Sequence, residues 1–258
     1  MPGVDVAARP SDPGLETAYG TVRDGAAAAS LAAGRTADRA KGHVRDLVKP
    51  RLRGVIHQYA IVFAFAVGAV LVPLAPAGLP RLGSVVYAVC TVGLFGVSAT
   101  YHRVTWRSAR ARMLMKRADH AMIFIFIAAT YTPIALTVLH GTERTAVLAG
   151  VWGGALLGVT LRMVWLAAPR WATIPLYIAL GWAAVAVVPP VLHGAGVAAL
   201  VLLLVGGLIY TLGAVAYAAR RPNPWPGTFG YHEVFHLATV LAASCHVVTI
   251  MFAVLASS

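Results

Sequence analysis

Residues 231–255 read Tyr231-His-Glu-Val-Phe-His236 and then LATVLAASCHVVTIMFAVL, 25 residues with one acidic side chain and no Lys or Arg. A run of that length and polarity is a membrane-spanning helix, because about 20 apolar residues cross the hydrocarbon core. The polar cluster at its mouth is an H-E-x-x-H string. Two histidines four residues apart share one helix face and can hold one metal ion, and zinc takes neutral imidazoles in a tetrahedral set. In soluble metalloproteases the intervening Glu is the general base. The bland alternative is a pair of interfacial histidines without metal.

Working outward, the composition agrees with the last segment: 59% of the 258 residues are hydrophobic and 12% are charged, with a mean hydropathy of +0.75. A soluble chain of this size is far more polar. The expectation is an all-α, polytopic membrane protein, a bundle of seven transmembrane helices. The spans are placed at about Val55 to Pro73, Ser84 to His102, Ala118 to Leu139, Thr145 to Trp165, Thr173 to Pro190, Val197 to Ala218 and Tyr231 to Leu255. Short connections make consecutive spans antiparallel neighbours. Residues 1–43 read as a flexible cytoplasmic tail and 44–258 as the membrane domain, with a short surface helix expected from Thr36 to Val48. No cleavable signal peptide is expected, so the first span serves as an uncleaved anchor.

Orientation follows from Lys and Arg, which are retained on the cytoplasmic side. Arg45, Lys49, Arg51 and Arg53 precede the first span, and Arg103, Arg107, Arg110, Arg112, Lys116 and Arg117 lie between the second and third. The alternate loops carry only Arg81 and Arg144. The N-terminus is therefore expected inside and the C-terminus outside, in a bacterial-type plasma membrane. The net charge of +12 is set at membrane borders, where it meets anionic headgroups; nucleic acid is not an expected partner, and membrane lipids are. Cys90 and Cys245 fall within spans and are expected as buried thiols. Pro133 should kink the third span, with Thr130, Tyr131 and Thr132 satisfying the backbone groups it releases. The glycine pairs 153–154 and 206–207 are read as close helix contacts.

After Asp46 the chain has three acidic residues, Asp119, Glu143 and Glu233. Glu143 falls in an outer loop. Ionisable groups at membrane depth are costly and have a partner or a function. Alternating spans bring the end of the second and the starts of the third and seventh to one side, so His102, Asp119, His232 and His236 share one depth, with Ser98 one turn inside His102. Three histidines leave a fourth tetrahedral position open for water, as in catalytic zinc sites. Asp119 is the candidate general base and Ser98 a positioning hydroxyl. Glu233 points about 100° from His232 around the helix and is the weaker candidate. His246, ten residues past His236, is expected to bond a neighbouring span; His57 and His120 are expected solvated at the interface, and His43, His140 and His193 in the tail or outer loops.

Together these residues resemble the hemolysin III branch of the progestin and adipoQ receptor (PAQR) family. The resemblance rests on Ser98-Ala-Thr-Tyr-His102, Asp119-His120 with Thr130-Tyr-Thr-Pro133, and His232-Glu-Val-Phe-His236 with Ser244-Cys-His246. It implies zinc held by His102, His232 and His236, with Asp119 acting through water. In relatives the position of Glu233 can be Gln, and Ala121 replaces a Ser that often follows Asp-His. The resemblance implies relatives that look like lipid-amide hydrolases or linked receptors, ceramidases with a similar zinc set, and bacterial members linked to membrane homeostasis. The leading expectation for this chain is hydrolysis of a lipid amide or ester that enters from the inner leaflet. Two other readings stand beside it: a non-enzymatic sensor or receptor with structural zinc, and a hemolysin-type cytolysin. A membrane protease would need a further carboxylate ligand after Glu233, and the sequence has none. Oligomeric state is not legible.

Overall fold

A computed structural model describes Ser30 and residues 50–165 and 170–257, with backbone alone for residues 170 and 171. Apart from Ser30, the expected tail lies outside the described residues, as does its helix at 36–48. Among the described residues the regular structure is helical, joined by short turns and loops, with one isolated bridge between Trp225 and Phe229. The helices are α1 (Val55–Leu74), α2 (Leu79–Arg103), α3 (Ala109–Val138), α4 (Gly141–Val164), α5 (Arg170–Trp182), α6 (Val188–Ala219) and α7 (Tyr231–Ala256), with a 3₁₀ segment Ala183–Val187 between α5 and α6. By length and apolarity six stretches can cross a membrane: α1, α2, α3, α4, the 48 residues Ala172–Ala219, and α7. This is a helical, multi-pass membrane protein.

The long stretch Ala172–Ala219 contains both the fifth and the sixth expected spans. Its break is not at Pro190, because prolines in a first turn do not interrupt a helix whose N–H groups there are unbonded, and α6 begins with its prolines in that turn. The break falls at Gly196, whose φ of 85° and ψ of 174° leave helical geometry. On either side the chain has different neighbours. Before Gly196, Tyr131 on α3 donates to the Leu180 and Gly181 carbonyls, and Gly194 lies against Val138. After it, Thr249 on α7 donates to the Ala199 carbonyl, and Thr211 accepts from the indole of Trp182.

α3 is enclosed by its neighbours, and its buried side chains run from Ala121 to Ala135. Its first turn is capped by Ser108, which accepts from the Ala111 N–H, so the helix begins nine residues before its expected start at Ala118. Thr130 and Thr132 donate to the Phe126 and Ala128 carbonyls. They flank, and do not cap, the Ala129 carbonyl that Pro133 leaves without its helical donor. Of each glycine pair one member makes the close contact: Gly154 faces Leu180 and Gly206 faces His246, whereas a Cβ at Gly153 or Gly207 would meet nothing within 4 Å. Cys90 and Cys245 are free and partly buried.

Candidate metal centre

The last helix starts with its own capping device. Gly230 is the N-cap, and Glu233, three residues on, accepts from the Gly230 N–H at 2.9 Å. A carboxylate there closes an otherwise unbonded donor and meets the positive end of the helix dipole. Asn223 accepts from the Tyr231 N–H at 3.0 Å. With the helix start fixed, His232 and His236 fall on one face one turn apart, and His102, in the last turn of α2, meets them.

The three imidazoles form a cluster. Their ligand atoms all lie within 4.8 Å of one another. His102 and His236 are buried and His232 is half-buried. The Nε2 atoms of His102 and His232 are 3.2 Å apart. Two nitrogens bound to one tetrahedral ion at zinc distances would be about 3.3 Å apart, so the donor set fits a metal ion in spacing and in chemistry. His102 and His232 meet edge to face with centroids 4.8 Å apart, and His232 and His236 are at 4.6 Å.

Asp119, near the start of α3's enclosed portion, brings its Oδ2 to 3.9 Å from His102 Nε2. Its side chain is 14% exposed. The separation suits a carboxylate that reaches the centre through a water. Ser98, one turn before His102 on α2, is buried. His120 Nδ1 lies 3.7 Å from the same Asp119 Oδ2 and donates to the Lys116 carbonyl at 2.7 Å.

The chain matches the Haemolysin-III related family over residues 45–247. It belongs to that family. Among similar proteins, the hemolysin-3 homolog of Bacillus subtilis is 26% identical over 151 residues, covering 58% of this chain and 67% of the relative. Hemolysin-3 of Bacillus cereus is 26% identical over 170 residues, 66% of this chain and 74% of the relative. The rice heptahelical transmembrane protein ADIPOR2 is 30% identical over 188 residues, 67% of this chain and 82% of the relative. The bacterial and plant names together bear out the hemolysin III branch of the PAQR family as the resemblance.

In this haemolysin-III chain Glu233 is occupied elsewhere. Besides its cap it accepts from Arg53 Nε at 2.5 Å, and its side chain is 1% exposed. Arg53 belongs to a strap, residues 50–54, that also pairs Arg51 N–H with the Gly227 carbonyl and Leu52 N–H with that of Thr228. The strap ends at Gly54, where φ is 80° and a Cβ would lie 2.5 Å from the Cβ of His102. Only glycine takes that conformation and that approach at no steric cost.

Of the other histidines, His246 reaches the Leu203 carbonyl on α6 at 3.4 Å, as expected. His57 corrects the sequence expectation. It is 3% exposed, and its ring is stacked on His236 at 3.8 Å with 4° between planes. The strap bonds to the loop before α7 and to Glu233 in its first turn, and the first turn of α1 that follows it brings His57 against the cluster, which a span-by-span hydropathy reading does not detect.

Proposed function

We propose that this chain is a zinc-dependent hydrolase of a lipid amide or ester, built on seven transmembrane helices with the N-terminus in the cytoplasm and the C-terminus outside. The observation that carries the reading is the buried three-histidine cluster with a carboxylate 3.9 Å from one of its nitrogens. Seven spans are supported by the break at Gly196 and by the different neighbours on its two sides; the rice relative is named heptahelical. The Lys and Arg of residues 103–117 support the orientation.

His102, His232 and His236 would hold the ion, and an open fourth position suits a catalytic site better than a closed structural one. Bound zinc supplies a Lewis acid and lowers the pKa of water to roughly 7. Asp119 takes a proton from the water as its oxygen bonds to the carbonyl carbon, and returns it to the leaving amine or alcohol as the carbon–heteroatom bond breaks. Ser98 fixes the carboxylate that does this. The lipid enters from the inner leaflet, the side on which the cluster lies in this orientation. Glu233 takes no part, since Arg53 and the Gly230 N–H engage its oxygens.

Metal analysis and lipid hydrolysis on the same purified preparations test the reading. His102→Ala and His236→Ala should lose both metal and turnover. Asp119→Asn should keep the metal and lose about 10²-fold or more in rate, the contribution of a general base. Retained metal with undiminished hydrolysis in Asp119→Asn would remove Asp119 from the mechanism. Metal in the wild type without hydrolysis of either lipid class, with thermal stability falling in His102→Ala, would favour the structural-zinc sensor.

A further inference from the structure

The geometry points to His57 as a positioning residue of the metal centre, acting on His236 through the face of its ring; this rests on the metal reading above. His57 lies on α1, which supplies none of the three clustered histidines. Its ring is parallel to that of His236, 3.8 Å away, and Phe95 on α2 packs against it at 5.0 Å with a 58° tilt. His236 is thus held in a fixed plane by a side chain that is itself wedged between helices.

Neither His57 nitrogen makes a hydrogen bond of good geometry, although both are buried. Burying polar atoms without partners is costly, so what the ring does there it does through its faces. An imidazole that binds a cation carries part of its positive charge, and an aromatic face laid over it is the cation–π arrangement. Metal binding therefore strengthens the stack, and by reciprocity the stack strengthens metal binding. Groups that orient a metal-ligating histidine change affinity by about 10–100-fold when removed.

Two substitutions of similar bulk separate the ring face from mere filling of space. His57→Phe keeps an aromatic face and removes the nitrogens; His57→Leu keeps apolar volume and removes the face. Cobalt(II), titrated into purified metal-free protein in detergent, is the probe, with affinity from chelator competition and site geometry from the visible ligand-field band. Leu should weaken cobalt binding by about 10-fold and shift the band, while Phe should remain within about twofold of wild type with an unshifted band. A packing role alone would move the melting temperature of the metal-free protein and leave the band where it is. Equal behaviour of Leu and Phe, whether both intact or both impaired, overturns the proposal. Wild type that takes up no more cobalt than His236→Ala overturns the metal reading itself, and this inference with it.

Discussion

Glu233 carries one oxygen on Arg53 Nε and the other on the Gly230 N–H, at 1% side-chain exposure. Removing the arginine leaves a buried carboxylate with only the cap for company, a change that costs about 3 kcal/mol or more in buried pairs. Arg53 itself is 21% exposed, which places the loss at the low end of that range. Glu233→Gln keeps an acceptor for the cap and removes the charge, so it should cost less. Thermal unfolding in detergent should rank Arg53→Ala below Glu233→Gln, and the double variant should be less destabilised than the two single losses added, because the two residues interact. Hydrolysis per folded molecule should survive Glu233→Gln. The sequence pairs H-E-x-x-H with protease chemistry and offers no sign of this partner, since Arg53 lies 180 residues away among several bases at the first span's border. The angular offset of Glu233 from His232 was legible; the ion pair was not, because it depends on how a strap before α1 meets the start of α7.

At the scale of elements, apolar runs located α1, α2, α4 and α7 closely, since hydropathy reports the part of a helix that lies in lipid. It misses helix that continues into the polar border, which is why α3 starts at Ala109 and not at Ala118. Its signal was Ser108, a capping residue in front of a basic, helix-forming run. Glycine patterns located contacts only by pair, because sequence does not say which of two adjacent glycines faces inward. Gly83 on α2 is a contact the pairs did not mark: a Cβ there would lie 2.6 Å from the Pro133 Cα. The obstacle is backbone and cannot rotate away, so the two helices must separate. Gly83→Ala should destabilise by about 1–3 kcal/mol, the range for overpacking. Gly150→Ala on α4, where a Cβ meets nothing within 4 Å, should be neutral or slightly stabilising through helix propensity. Melting curves of the two variants in one detergent make the comparison, and equal losses would place the α2–α3 crossing elsewhere than at Gly83.

For the molecule as a whole, the depth of the site residues was legible from alternating spans, while their adjacency required the bundle. The same adjacency bears on the number of spans. The strap at 50–54 bonds to the loop at 227–228, so the start of α1 and the start of α7 lie on one side of the membrane. That demands an even number of crossings from α1 through α6. With four from α1 to α4, the proposed seven-span reading takes Ala172–Ala219 as two crossings that reverse at Gly196; a single crossing would put the loop opposite the strap it is bonded to. Two crossings give an external C-terminus when the N-terminus is inside. Single cysteines in a Cys90→Ala, Cys245→Ala background test this with a membrane-impermeant thiol reagent on intact cells. Glu143→Cys and Ser257→Cys should label from outside, whereas Arg107→Cys and Asn223→Cys should label only after permeabilisation. A six-span chain would exchange the results at 223 and 257 and leave those at 107 and 143 unchanged, so labelling of Asn223→Cys in intact cells with a protected Ser257→Cys would refute the reversal at Gly196.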